Sequence, residues 1–101
     1  MDRFYARQYK GMDLVYYKAR NYHIYGRFDD ALKLYDIVIK KSGNQEKVER
    51  AIFFEGMVFY TIKKYSEATK MFEKLINEHP GSAWNDLARE RLVRAHSPLG
   101  I

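Results

Sequence analysis

The chain has 101 residues, no cysteine and a formal net charge of +5. Its length suits one small domain, and the lack of cysteine excludes disulfides, thiolate metal sites and cysteine nucleophiles. No apolar run approaches the length of about 18 residues that a membrane-spanning helix needs, and the polar, aromatic start is not typical of a secretory leader. We therefore expect no membrane span, a cytoplasmic location if the chain is complete, and a periplasmic one if a leader has been removed.

Residues 1–11 are expected to be a lead-in or a helical extension of the segment that follows. They interleave cations with aromatic rings: Arg3, Tyr5, Arg7, Tyr9 and Lys10. This interleaving is typical of proteins that bind single-stranded nucleic acid. Because acidic residues are scattered through the rest of the chain and no nucleic-acid-binding motif is present, we rank this function below those considered next.

The first helix is predicted over residues 12–25. Gly26 ends it, because glycine readily adopts the left-handed conformation found at helix C-termini. Apolar residues at helical spacing give this helix one buried stripe: Leu14, Val15, Ala19 and Tyr22.

The second helix is predicted to begin at Asp29 as its N-cap, with Asp30 in the first turn, where a carboxylate interacts favourably with the helix dipole. Lys40 and Lys41 suit its C-terminus for the same reason, and residues 42–44 form a turn. Its stripe is Ala31, Leu34, Tyr35, Val38 and Ile39.

A second pair of helices follows the same arrangement. The third helix is predicted over residues 46–62, with Glu46 and Arg50 at the i,i+4 spacing of an ion pair. The fourth is predicted over residues 66–78, with Ser66 as its N-cap and Pro80 beyond its end. Their stripes are Ala51, Ile52, Gly56 and Phe59, then Ala68, Phe72, Leu75 and Ile76.

A fifth helix is predicted over residues 83–95, with Ser82 as its cap, and residues 96–101 form a tail. Its apolar residues are Trp84, Leu87, Ala88 and Leu92.

The two helix pairs are copies of one repeat, offset by 37 residues. Residues of similar size and apolar character meet at this offset: Leu14 with Ala51, Val15 with Ile52, Ala19 with Gly56, Tyr22 with Phe59, Phe28 with Tyr65, Ala31 with Ala68, Leu34 with Met71, Tyr35 with Phe72, Val38 with Leu75, and Ile39 with Ile76. At the same offset, Ala51 also corresponds to Ala88. We therefore predict repeat 1 over residues 12–45, repeat 2 over residues 46–81, and a capping helix or half repeat over residues 82–95.

The spacing of these residues resembles the tetratricopeptide (TPR) family. The resemblance is carried by Tyr22, Gly26, Phe28, Ala31 and Tyr35 in the first copy, and by Gly56, Phe59, Tyr65, Ala68, Phe72 and Pro80 in the second. The end of the second copy is similar to the longer-period variety of bacterial envelope-assembly proteins. The chain departs from the family pattern at Lys18 and Glu55, which stand in place of leucine, at Lys63 in place of a turn glycine, and at Gly43 in place of proline.

The resemblance implies an all-α fold, a right-handed superhelical stack of antiparallel hairpins with about five helices. It also implies a concave groove lined by the first helix of each pair. Phe54 is expected to pack between neighbouring helices. The residues expected to bind a partner in the groove are Asp13, Tyr16, Tyr17, Arg20, His23, Arg50, Phe53, Met57, Tyr60, Glu90, Arg91 and Arg94.

The predicted function is a non-enzymatic scaffold that binds a protein or peptide, and the arginines favour an acidic one. The alternative is a self-assembling TPR unit, or part of a longer TPR protein, because a short stack exposes apolar edges such as Trp84 and the N-terminal tyrosines. No enzyme, cofactor or metal is predicted: the histidines lack ligand-spaced partners, and no glycine-rich phosphate loop is present.

Overall fold

The computed structural model describes residues 11–96, and within them the fold is all-α, as predicted. The helices in chain order are α1 (Met12–Ile24), α2 (Phe28–Lys41), α3 (Gln45–Thr61), α4 (Tyr65–Glu78) and α5 (Asn85–His96). The sequence predicts both ends of every helix to within two residues. The lead-in and the tail beyond His96 lie outside the described residues.

Short turns join α1 to α2 and α3 to α4, and both turns end the first helix in the same way. Gly26 has φ 78° and Lys63 has φ 66°, so both residues are in the left-handed region. The amide of the next residue, Arg27 or Lys64, donates to a carbonyl five residues earlier, on Tyr22 or Phe59. This is the Schellman arrangement, which confirms the predicted role of Gly26.

The predicted N-caps Asp29 and Ser66 are wrong. The N-cap of α2 is Arg27 and that of α4 is Lys64, and neither helix has a side-chain capping bond. Each Schellman turn leads directly into the next helix, so the helix begins before the expected capping residue is reached. Asp29 instead lies in the first turn of α2, where its carboxylate still suits the helix dipole.

The chain divides into two compact units between Ala51 and Ile52, inside α3. In the first unit α1 packs against α2, and the contact is built on small residues and one large ring. Ala19, Ala31, Tyr35 and Val38 are all fully buried. Leu14 departs from the predicted stripe, because it is 41% exposed.

In the second unit the C-terminal part of α3 packs against α4, and α5 packs against α4 in turn. A Cβ built on Gly56 would lie 2.7 Å from Cε1 of Phe72, so only glycine allows this approach. Phe72 and Leu75 are fully buried.

Trp84 is half-buried and does not form the exposed edge that the sequence predicts. Its ring lies 5.0 Å from that of Phe53 and 5.5 Å from that of Phe54, and Phe53 also meets Phe72 at 5.8 Å. Aromatic pairs at such distances stabilise the fold by more than the burial of their apolar area alone would give. None of the helices in residues 11–96 has the length and hydrophobicity that crossing a membrane requires.

Candidate binding surface

Tyr16 of α1 lies at the centre of the predicted surface in the first unit, yet it is only 2% exposed. Its ring lies 5.2 Å from Tyr17 and 6.4 Å from Tyr35 of α2. The side chain is therefore part of the core and offers almost no surface to a partner. Tyr17 is 37% exposed and carries the accessible ring of this pair.

Cations from α1 and α3 converge on this tyrosine pair. Arg20 and Arg50 both lie close enough to the phenol of Tyr16 to interact with it electrostatically. Burial raises the pKa of Tyr16, while the two guanidiniums act in the opposite direction. Nζ of Lys47 lies 5.7 Å from the ring of Tyr16 and 5.5 Å from that of Tyr17.

Lys47 is the member of this surface that the sequence analysis misses. It lies one turn before Arg50 on α3, and that i,i+3 spacing is a signal that places both side chains on one face. Arg50 also forms the predicted ion pair with Glu46, at 2.6 Å between Nη2 and Oε1. The guanidinium thus pairs with a carboxylate and also lies close to the phenol of Tyr16.

His23 connects the surface to the interior of the hairpin. Its Nδ1 accepts hydrogen bonds from the hydroxyl of Tyr35 at 3.0 Å and from Nη1 of Arg20 at 3.2 Å. A guanidinium can only donate, so Nδ1 carries no proton. Burial, and then the charge of Arg20, lowers the pKa of His23. Asp13 lies half-buried in the first turn of α1.

In the second unit the predicted residues fall into two groups. Phe53 is 4% exposed and belongs to the core, whereas Met57 and Tyr60 are half-buried. The ring of Tyr60 lies 5.3 Å from that of Tyr65. On α5, Glu90 pairs with Arg94 at 3.0 Å and lies 3.7 Å from Arg91.

Tyr16 and Phe53 occupy the same position of the repeat, since they are 37 residues apart. Both are buried, so this position of the first helix belongs to the core in both copies. The accessible surface is therefore narrower than the sequence analysis predicts.

A polar cleft of about 380 Å³ between α4 and α5 is a second concave feature that the sequence does not predict. It is lined by Tyr65, Ser66, Thr69, Lys70, Glu73, Ala95 and His96. Across residues 11–96, no three histidine, aspartate or glutamate side chains are grouped as metal ligands. The residues considered for nucleic-acid binding, from Arg3 to Lys10, lie outside this range.

A family model described as Iml2/Tetratricopeptide repeat protein 39 matches residues 2–84. This match confirms the TPR resemblance but does not support the similarity to bacterial envelope-assembly proteins. No curated protein and no solved structure matches the chain significantly.

Proposed function

Because the chain belongs to the Iml2/Tetratricopeptide repeat protein 39 family, we propose that it is a protein-interaction module without enzymatic activity. A TPR-type family implies protein partners in general terms. The finer proposal is that an acidic peptide segment binds along the first helices of the repeats, and that Tyr17, Arg20, Lys47 and Arg50 form the centre of this surface.

The observation that carries the proposal is the convergence of Arg20, Lys47 and Arg50 on the Tyr16–Tyr17 pair. The three cations come from two different helices, α1 and α3. Tyr16 is buried beneath them, the charges of Arg20 and Arg50 both act on its phenol, and Glu46 pairs with Arg50. A cation held in place before binding loses less entropy when a ligand arrives.

The chemistry of this surface suits a carboxylate. A guanidinium can hold a carboxylate through two parallel hydrogen bonds, and the ring of Tyr17 supplies rigid contact area beside it. Glu46 already pairs with Arg50. A carboxylate from a partner would therefore replace the carboxylate of Glu46 in the ion pair with Arg50.

The proposal extends to other exposed or half-buried residues of the first helices. In the first unit these are Asp13 and His23, and in the second unit Met57, Tyr60, Glu90, Arg91 and Arg94. Tyr16 and Phe53 are buried and belong to the core beneath these residues.

Selection of peptides from a random display library against the immobilised full chain tests the proposal. We expect the selected peptides to be enriched in aspartate and glutamate. The double variant Y17A/K47E should lose their binding, because it removes the exposed ring and reverses a charge at the centre of the surface.

Lys33→Glu is the matched control. Lys33 lies exposed on α2, the second helix of the same unit, and the substitution makes the same change of charge. The variant should retain binding. A selection without acidic enrichment, or equal loss of binding in both variants, would contradict the proposed surface.

Self-association is the second candidate, and one observation favours it. Ile24 and Tyr25, at the end of α1, are 67% and 81% exposed, and adjacent exposed apolar residues are common in interfaces. Sedimentation over a range of concentrations tests this candidate. A species that stays monomeric at high concentration would exclude it.

A further inference from the structure

Ser66, the second residue of α4, differs from the other serines in residues 11–96, which are Ser42 and Ser82. Those two are half-buried, and Oγ of each accepts a hydrogen bond from a backbone amide, that of Asn44 at 3.0 Å or that of Trp84 at 3.1 Å. Ser66 is exposed, and its side chain has no hydrogen-bond partner in this part of the chain. Its hydroxyl is therefore accessible to a modifying enzyme.

The sequence around Ser66 is basic. Lys63 and Lys64 precede it by three and two residues, and Lys70 follows it by four, which places Lys70 on the same side of α4. Within the described residues these lysines form no ion pair, and Glu67 is the one carboxylate in the same stretch of sequence. Protein kinases select serines by the pattern of charges around them. Two lysines before the serine suit a kinase whose substrate groove is acidic.

Ser66 also lines the polar cleft between α4 and α5. The volume of about 380 Å³ is that of a small-molecule site, so it has room for a phosphate group. Lys70 of α4 and His96 of α5 line the same cleft, and both side chains can donate hydrogen bonds to phosphate oxygens. The carboxylate in the lining, Glu73, belongs to the next turn of α4, three residues beyond Lys70.

The first repeat has a carboxylate where the second has this serine. At the offset of 37 residues, Ser66 corresponds to Asp29 in the first turn of α2, and Lys70 corresponds to Lys33. A phosphoserine carries a charge of about −1.5 to −2 at pH 7. Phosphorylation of Ser66 would therefore give the second repeat the negative charge that the first repeat has permanently.

We propose that Ser66 is a phosphorylation site and that its phosphate lies in the cleft, paired with Lys70. In the reaction, Oγ of Ser66 attacks the γ-phosphorus of ATP bound to a protein kinase that selects basic substrates. The bond from that phosphorus to the bridging oxygen of the β-phosphate breaks, ADP leaves, and the hydroxyl proton passes to the catalytic carboxylate of the kinase. This inference goes beyond the proposed function and does not depend on the surface around Tyr17.

The first turn of α4 explains both how the kinase reaches Ser66 and what the phosphate does there. Its N-cap, Lys64, has no side-chain capping bond, so this turn opens more readily than a capped one. A phosphate on Ser66 would stabilise the turn again, because its charge suits the helix dipole and pairs with the ammonium of Lys70.

Phosphorylation of the full chain by the catalytic subunit of cAMP-dependent protein kinase, with ATP, tests the site. Mass spectrometry measures the modified fraction of each serine over time. Ser42 is the internal control, since it also follows two lysines but is half-buried. We expect Ser66 to be modified at least about tenfold faster, a difference of about 1.4 kcal/mol in activation free energy. The variant K63Q/K64Q, checked for folding by circular dichroism, should be modified more slowly at Ser66.

Ser66 modified no faster than Ser42, or equally fast in the folded K63Q/K64Q variant, would overturn the inference.

The melting temperature tests where the phosphate lies. Full chain with phosphoserine incorporated at position 66 during translation is compared with the unmodified chain by calorimetry. The phosphate should raise the melting temperature by about 2 °C or more. The rise should be smaller in K70Q than in K33Q, the matched control at the same position of the first repeat. No rise, or equal rises in the two variants, would overturn the placement of the phosphate against Lys70.

Discussion

Gly56 of α3 lies against the ring of Phe72 on α4, with room for no side chain between them: a Cβ would come within 2.7 Å of Cε1 and 2.9 Å of Cζ. Phe72 is fully buried, so its ring has little freedom to move away. This contact sets the distance between the two helices in the second unit.

Gly56→Ala should therefore destabilise the protein, although alanine is the better helix former. Overpacking costs about 1–3 kcal/mol, against a gain of about 1 kcal/mol in helix propensity. We expect a lower melting temperature by calorimetry. Gly43→Ala is the control, because nothing lies within 4 Å of a Cβ at that position. An unchanged melting temperature in Gly56→Ala would mean that Phe72 can move.

Lys63→Gly should stabilise the protein. Lys63 has φ 66°, where a side chain costs about 1–2 kcal/mol, and glycine removes this strain. The gain is reduced by the greater freedom of glycine in the unfolded chain. The matched change is Gly26→Ala, at the same position of the first repeat, which should destabilise. Urea unfolding measures both, and two shifts of the same sign would contradict the explanation.

The burial of His23 and the charge of Arg20 beside it predict a loss of stability in acid. Because the pKa of His23 is lowered in the folded state, the unfolded chain takes up a proton first as the pH falls below about 6.5. Above that pH, His23 therefore makes its full contribution to the free energy of unfolding. It decreases below it by at most about 1.4 kcal/mol for each pH unit, until the folded pKa is reached.

His23→Gln keeps an acceptor for Tyr35 but does not titrate. We expect the loss of unfolding free energy between pH 7.5 and pH 5.5, measured in urea, to be smaller in this variant than in the natural chain. Because His79 and His96 are present in both proteins, their contributions cancel in the comparison. If the unfolding free energy depends on pH identically in both proteins, His23 does not contribute to the loss of stability in acid.

Asn85 should be important for the loop between α4 and α5. It is 4% exposed, and its Nδ2 donates to the carbonyls of His79 at 2.9 Å and Pro80 at 3.0 Å. Asn85→Ala leaves two acceptors without this donor and should cost about 1–3 kcal/mol. Asn85→Asp should cost more, because a carboxylate oxygen would face the same carbonyls. Asn77→Ala, at an exposed position of α4, is the neutral control for chemical denaturation.

The sequence predicts the helices and their packing faces well because these depend on local spacing and side-chain size. Ala19 with Gly56, and Ala31 with Ala68, mark close contacts in both repeats, and the structure buries all four. The termination at Gly26 is likewise a local property of the backbone. Lys63 shows that the turn forms without glycine, at the cost of strain.

The candidate surface is predicted less well. The sequence places Tyr16 and Phe53 beside the core stripe, and their large rings suit either a groove or an interior. Both are buried, because each contacts aromatic side chains outside its own helix: Tyr35 for Tyr16, and Phe72 and Trp84 for Phe53. The sequence does not predict Lys47 as part of the surface, because the residue type does not indicate that its side chain lies over two aromatic rings.

The sequence alone therefore determined an all-α repeat of the TPR type, with the positions of its helices and its small contact residues, since these follow from a period of 3.6 residues and an offset of 37. The tertiary structure decided which aromatic rings are interior and which cations meet around them. It also shows that Arg89, Val93 and His96 of α5 are exposed. These features depend on contacts between helices, and such contacts form only when residues far apart in the chain are brought together.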